Sequence, residues 1–207
     1  MKFTFVAMKL IFLVTALLMA PNGDQTLSTA ERDRAVAELE SSRKAFLDAT
    51  SGLSEAQWNF KPAPDRWSIA ECAEHIGVTE ALVMNLVTEQ ALKGPAEPEK
   101  RAQVQWKDDA LMTAALDRST KFKAPEPVQP MRRWSGSEEI TKNVLENRAR
   151  TIEFVSTTQA DLRDHFMDHP VFKTLDIYQW MLLVSGHMRR HTAQILEVKA
   201  DPNFPKH

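Results

Sequence analysis

Ile177, Met181, Val184, Met188, His191, Ile195 and Val198 follow a near-heptad spacing through the last long segment of the chain. That spacing draws one stripe along a helix, and an apolar stripe of this length needs other helices to cover it. The chain must therefore supply partner helices. The stripe also carries an anomaly. His191 stands where the pattern demands an apolar core residue, a local rule-break of the kind that marks function.

Partner segments are present. The first runs from about Ser28 to Thr50. Ser28-Thr29-Ala30-Glu31 has the form of a capping box, followed by an apolar stripe of Val36, Leu39, Phe46 and Leu47, and Gly52 stops it. Pro62 and Pro64 mark a loop. The second segment opens at Ser68-Ile69-Ala70-Glu71, again a capping box, with Trp67 placed to pack on Cys72 as a hydrophobic staple. Ile69, Cys72, Ile76, Thr79, Val83 and Leu86 carry it to about Leu92, where Gly94-Pro95 ends it. A weaker helix is expected from Gln103 to Thr120. A passage containing Pro125, Pro127 and Pro130 follows as a connection. The third segment is expected from Ser137 to Leu162 and the fourth from Thr174 to Lys199. The 6 glycines, 1 tyrosine and lack of an alternating apolar run argue against a sheet-rich fold. The expected fold is all-α: a four-helix bundle whose long crossover lets helices two and three run parallel.

The start of the chain has a different character. Lys2 and Lys9 precede an apolar run from Leu10 to Ala20, closed by Pro21-Asn22-Gly23-Asp24. Residues 1–23 resemble a secretory leader, too short for a comfortable membrane span. The expectation is export to the periplasm or outside the cell, or a cytoplasmic protein if the upstream start is mispredicted. The bundle domain then covers residues 24–200, and 201–207 form a tail. A net charge of -2 gives no electrostatic case for nucleic-acid binding. Cys72 is the single cysteine, so neither an internal disulfide nor a cysteine-rich zinc site is available.

Three histidines carry the chemistry. His187 and His191 stand four apart, on one helix face one turn from each other, where two imidazoles can share one metal ion. His75, on the edge of the second stripe, is the candidate third ligand. Three nitrogens on one side of a metal leave positions where water or substrate binds. Taken singly, each histidine reads more simply as a solvated or core-satisfied residue. No glutamate follows the first histidine of the pair, which disfavours a zinc-protease helix. His165 and His169 form a competing pair, but His169 precedes Pro170 and so leaves helical geometry; the pair reads as a polar helix end and turn. Cys72 reads as a buried packing residue, Glu71 as a cap, and Glu74 as either an acceptor for a histidine N–H or a solvent-facing group. The tryptophans read as loop and core anchors.

The residues resemble a known family. Gly52-Leu53-Ser54-Glu55-Ala56-Gln57, then Pro62, then Trp67-Ser68-Ile69-Ala70-Glu71 through His75, match one characteristic pattern. His169-Pro170, Trp180 and His187-Met188-Arg189-Arg190-His191-Thr192-Ala193-Gln194-Ile195 match a second. Together, over about Ser28 to Lys199, they are similar to the DinB-like (DinB/YfiT) metalloenzyme superfamily. The resemblance implies an up-down-down-up bundle. It also implies a divalent metal (nickel, zinc or iron) bound by His75, His187 and His191, a small-molecule substrate, and a homodimer in many relatives. Relatives include thiol-dependent transferases and isomerases. Two departures stand out. A leader would take the chain away from cytoplasmic thiols, which favours hydrolysis or metal binding alone, and Phe172-Lys173 replace the glycine usual after the His-Pro turn.

Three functional readings follow: a metal-dependent hydrolase or transferase, a non-catalytic metal- or ligand-binding bundle in the cell envelope, and a structural bundle whose histidines satisfy core hydrogen bonds. No catalytic base is identifiable from the sequence.

Overall fold

Capping sets where the helices begin. In the computed structural model, which describes residues 26–206, α1 spans Thr29–Thr50 and α3 spans Ile69–Glu89. Both start on the predicted capping boxes: Ser28 and Ser68 each accept from the backbone N–H three residues on, and Glu31 and Glu71 accept in return. A third box, Ser54 with Gln57, opens the short α2 (Glu55–Asn59). The chain continues through α4 (Asp108–Leu116), α5 (Gly136–Thr157), a hairpin of β1 (Phe166–His169) and β2 (Lys173–Asp176), and α6 (Ile177–Lys199). The leader read at residues 1–23 lies outside the described residues. No described helix is long and apolar enough to cross a membrane.

Side-chain bonds between helices fix their directions. Tyr178, Ser185 and Lys199 of α6 donate to the carbonyls of Glu31, Glu38 and Ala49 of α1, so α1 and α6 run parallel. Asn147 and Arg148 of α5 reach Gly77 and Glu80 of α3, while Arg148 also reaches Leu39 of α1 and Arg32 reaches Val155. Successive contacts therefore ascend in both α3 and α5 but run oppositely in α1 and α5. The result is the expected up-down-down-up bundle, with α3 and α5 parallel and joined by the long crossover.

The core has two parts. One gathers Leu39, Val87, Leu111, Val155, Leu162, Leu175, Tyr178, Met181 and Leu182; the other gathers Phe46, Trp58, Ile69, Cys72, Ile76, Val144, Met188 and Ile195. Two glycines of the helices permit close packing. A Cβ on Gly77 would stand 2.9 Å from the Trp134 ring and 3.1 Å from Val144 Cγ2, and one on Gly186 would stand 3.2 Å from Ala115 Cβ.

Some boundaries differ from expectation. The weaker helix is confined to Asp108–Leu116, preceded by a 3₁₀ turn over Pro98–Gln103. α5 stops at Thr157 instead of running to Leu162, because the chain turns there to bring Leu162 into the core. Residues 174–176, expected in the last helix, belong to β2, and α6 starts once Asp176 accepts from the Gln179 N–H. The C-terminal segment docks on α2: Pro205 accepts from Gln57, and Phe204 meets Phe60 edge-on at 5.6 Å.

Candidate metal centre

The capping box at Ser68 places His75 in the second turn of α3, and the antiparallel crossing of α3 and α6 carries it to His187 and His191. The two α6 histidines lie on one face, as their spacing requires. His75 Nε2 and His187 Nε2 are 3.0 Å apart, and each pair of the three rings has centroids 4.6 to 4.8 Å apart. One donor atom from each histidine lies within 4.8 Å of the other two. Among the described residues, this is the group of three or more His, Cys, Asp or Glu side chains arranged to share an ion.

Hydrogen bonds orient the rings. His75 Nδ1 is 2.7 Å from the Val128 carbonyl, which can only accept. Nδ1 therefore carries the proton, and Nε2 presents its lone pair to the cluster. His191 Nδ1 likewise faces Gln194 Oε1 at 3.0 Å. The Trp67 indole walls the cluster, its centroid 4.9 Å from the His75 ring and 5.9 Å from that of His191. The same indole lines a cleft of about 270 Å³ with Lys61, Asp65, Glu71, Lys123 and Gln129. His75 is buried, whereas His187 and His191 keep partial exposure, so the cluster is not sealed.

Burial holds the three rings neutral. It pushes the His75 pKa down against the Val128 bond, which acts the other way. It drives His187 far below the usual imidazole value, reinforced by repulsion from His191 and His75, and takes His191 down to about 3. Neutral imidazoles are the form that ligates metal. Two nitrogens each about 2.0–2.1 Å from one tetrahedral ion stand roughly 3.3 Å apart, close to the spacing of His75 and His187. The donor set thus fits a divalent cation.

The other candidates lie elsewhere. Cys72 is fully buried in the second core cluster, where burial pushes its thiol pKa up. Glu71 is the expected cap and also pairs with Lys61 at 2.9 Å. Glu74 neither accepts from a histidine nor faces water; it binds the backbone of Met131, Arg132 and Arg133. His165 and His169 do not form a helix end. His165 bonds the carbonyls of Asp161 and Gly94, while His169 ends β1 and accepts from the N–H groups of Val171 and Phe172. Sequence reasoning missed three contributors: the Val128 carbonyl, Gln194 and the contact of Trp67 with the imidazoles. Gln194 was findable, three residues after His191 on the same helix. Val128 was not, because nothing in a crossover sequence says where its carbonyl points.

Comparison with known proteins places these features in context. The sequence pattern of the DinB superfamily matches residues 38–195, a span that contains all three histidines. The uncharacterized protein YuaE of Bacillus subtilis (strain 168) is 24% identical over 148 residues, covering 72% of this chain and 86% of that protein. The solved structure of YfiT from Bacillus subtilis, described as a probable metal-dependent hydrolase with an unusual four-helix bundle topology, superposes with a TM-score of 0.53 at 14% identity. That match covers 84% of this chain and 89% of YfiT, and at such identity it shows a shared fold.

Proposed function

This chain belongs to the DinB superfamily, and we propose that it is a divalent-metal-dependent enzyme acting on a small molecule, with His75, His187 and His191 as the metal ligands. One observation carries the reading. The His75 and His187 Nε2 atoms converge to 3.0 Å while His75 Nδ1 is committed to Val128, so a bare lone pair is aimed at the cluster centre. When bound, a divalent cation held by neutral ligands lowers the pKa of a water or thiol enough to make it a nucleophile near neutral pH. The chain's own part is to keep the imidazoles unprotonated by burial, to fix two of them through Val128 and Gln194, and to shield one side with Trp67. The description of YfiT supports hydrolysis as the reaction class. Export by a leader at residues 1–23 would favour water over a cytoplasmic thiol as the nucleophile. Nickel, zinc and iron are the candidate ions.

A binding role without turnover is favoured by one specific observation. The two carboxylates nearest His75 in sequence, Glu71 and Glu74, are both committed to backbone N–H groups, so neither is a free proton acceptor. Metal analysis of the purified chain and of His187→Ala tests the shared premise. The wild type should hold about one equivalent of nickel, zinc or iron, and the variant much less. If neither retains metal and added nickel or zinc leaves the thermal midpoint unchanged, the metal reading fails. Chelator-sensitive hydrolysis of a panel of small esters and amides then separates the enzyme from the binder. N-terminal sequencing of protein from the native envelope fraction tests export.

A further inference from the structure

The crossover between α4 and α5 meets the histidine cluster through the Val128 carbonyl, 2.7 Å from His75 Nδ1, and the backbone around that carbonyl is held by residues outside the cluster. Glu74 is 3% exposed. Its Oε1 accepts from the N–H groups of Met131 (2.9 Å) and Arg133 (3.2 Å), and its Oε2 from that of Arg132 (2.9 Å). Three consecutive N–H groups wrap one carboxylate, and Arg132 adopts a left-handed φ of 58° within that wrap. The Arg133 guanidinium closes the device. It donates to Glu74 Oε1 (2.9 Å), to the Gln129 carbonyl (2.6 Å) and to the Pro127 carbonyl (3.1 Å). The two carbonyls it grips flank Val128.

We propose that Glu74 and Arg133 act as a positioning pair for the metal centre: they pin residues 127–133 so that the Val128 carbonyl holds the His75 ring with its proton on Nδ1 and its Nε2 open to the cation. The inference rests on the metal-site reading above and deepens it. Consecutive residues of α3 divide the work, with Glu74 gripping the loop and His75 receiving the carbonyl that the loop delivers. Without the grip, His75 is free to carry its proton on Nε2, where it blocks the ligand position. An outer partner of a ligating histidine typically changes metal affinity by about 10–100-fold when removed.

The test uses the full chain as Glu74→Gln and Arg133→Ala, each measured two ways. Competition with a zinc chelator gives the zinc dissociation constant. Nitrogen-15 NMR of the metal-free protein gives the His75 tautomer. Glu74→Gln should weaken zinc by about 10–100-fold and populate the Nε2–H form of His75. Arg133→Ala keeps the three backbone bonds to Glu74 and should produce the same two changes in smaller degree. It also keeps the test open should Glu74→Gln fail to fold. Val155→Ala, in the other core cluster, controls for general destabilisation and should leave both readouts unchanged. Wild-type affinity and an unchanged Nδ1–H tautomer in Arg133→Ala or a folded Glu74→Gln overturn the proposal. A wild type that binds no zinc defeats the metal reading, yet the tautomer measurement still decides whether Glu74 and Arg133 set the His75 ring.

Discussion

Arg148 and Glu80 meet side-on at the centre of the bundle, with Arg148 Nε and Nη2 each 2.9 Å from a different oxygen of Glu80. Neither side chain is more than 3% exposed. Arg148 also donates to the Leu39 carbonyl and Ser42 Oγ of α1 and to the Val184 carbonyl of α6, so one guanidinium from α5 touches the other three long helices. Breaking such a pair leaves an uncompensated buried charge, which outweighs the lost bonds. Arg148→Met should cost about 3–5 kcal/mol in urea unfolding. Adding Glu80→Leu to it should recover part of that loss, because the orphaned carboxylate goes too. A single variant as stable as wild type would show the pair to be dispensable.

The contact of α3 with α5 depends on a missing side chain at Gly77. A methyl group there would press on Val144 Cγ2 at 3.1 Å, inside a fully buried contact, and on the Trp134 ring at 2.9 Å. Helix propensity favours alanine over glycine by up to about 1 kcal/mol, so the sign of the effect tells which factor wins. Steric overlap with Val144 should prevail, and Gly77→Ala should lose about 1–3 kcal/mol by chemical denaturation. Val144→Ala in the same chain should relieve part of the overlap, a coupling readable in a double-mutant cycle.

Lys173 holds the glycine-preferring conformation at the turn of the β1–β2 hairpin, with φ of 64°. It closes the hairpin opposite His169. A side chain in this region is disfavoured by its own Cβ. Lys173→Gly should therefore stabilise the fold by about 0.5–1 kcal/mol, read as a raised urea midpoint at unchanged slope. A lower midpoint would mean that the lysine makes a compensating contact.

Legibility in the sequence followed the range of the interaction. α1 and α3 were readable to within a residue at their starts because Ser28 with Glu31 and Ser68 with Glu71 are local pairs. The same pattern stands at Ser54 and Gln57, but α2 went unread because five residues are too few to draw a stripe. The hairpin escaped because its four-residue strands gain their pairing across a turn that reads like a helix end at His169-Pro170. Arg148 left a trace: it interrupts the stripe of Val144, Thr151 and Val155, a charge on a buried face. At the site, the spacing of His187 and His191 was local and visible. Their meeting with His75 depends on the register of α3 against α6, which only the packed core sets.

Acid should unfold the metal-free protein through the same histidines. Each of His75, His187 and His191 has its pKa pushed below the ordinary 6.5 by burial, His191 to about 3. Below pH 6.5 the unfolded chain takes up protons that the folded chain refuses. Stability is therefore full above that pH and falls as the pH drops toward 3, with a slope of at most about 1.4 kcal/mol per pH unit for each group. Asp176, pushed up to about 6 by burial, acts in the opposite direction, since its folded form gains the proton first. His169, lowered to about 4, adds to the loss. Both are shared with a His191→Leu variant and cancel in the difference. Urea unfolding at pH 7, 6 and 5 with chelator present should show wild type losing more stability per pH unit than His191→Leu. The window ends at pH 5 because Glu31, held low against its burial by Ser28 and Arg163, and Asp108, held low against its burial by Arg163, add their own acid loss further down. Parallel curves for the two proteins would mean that the His191 imidazole is not kept neutral by its burial, and the basis for treating the three rings as ready ligands would go with it.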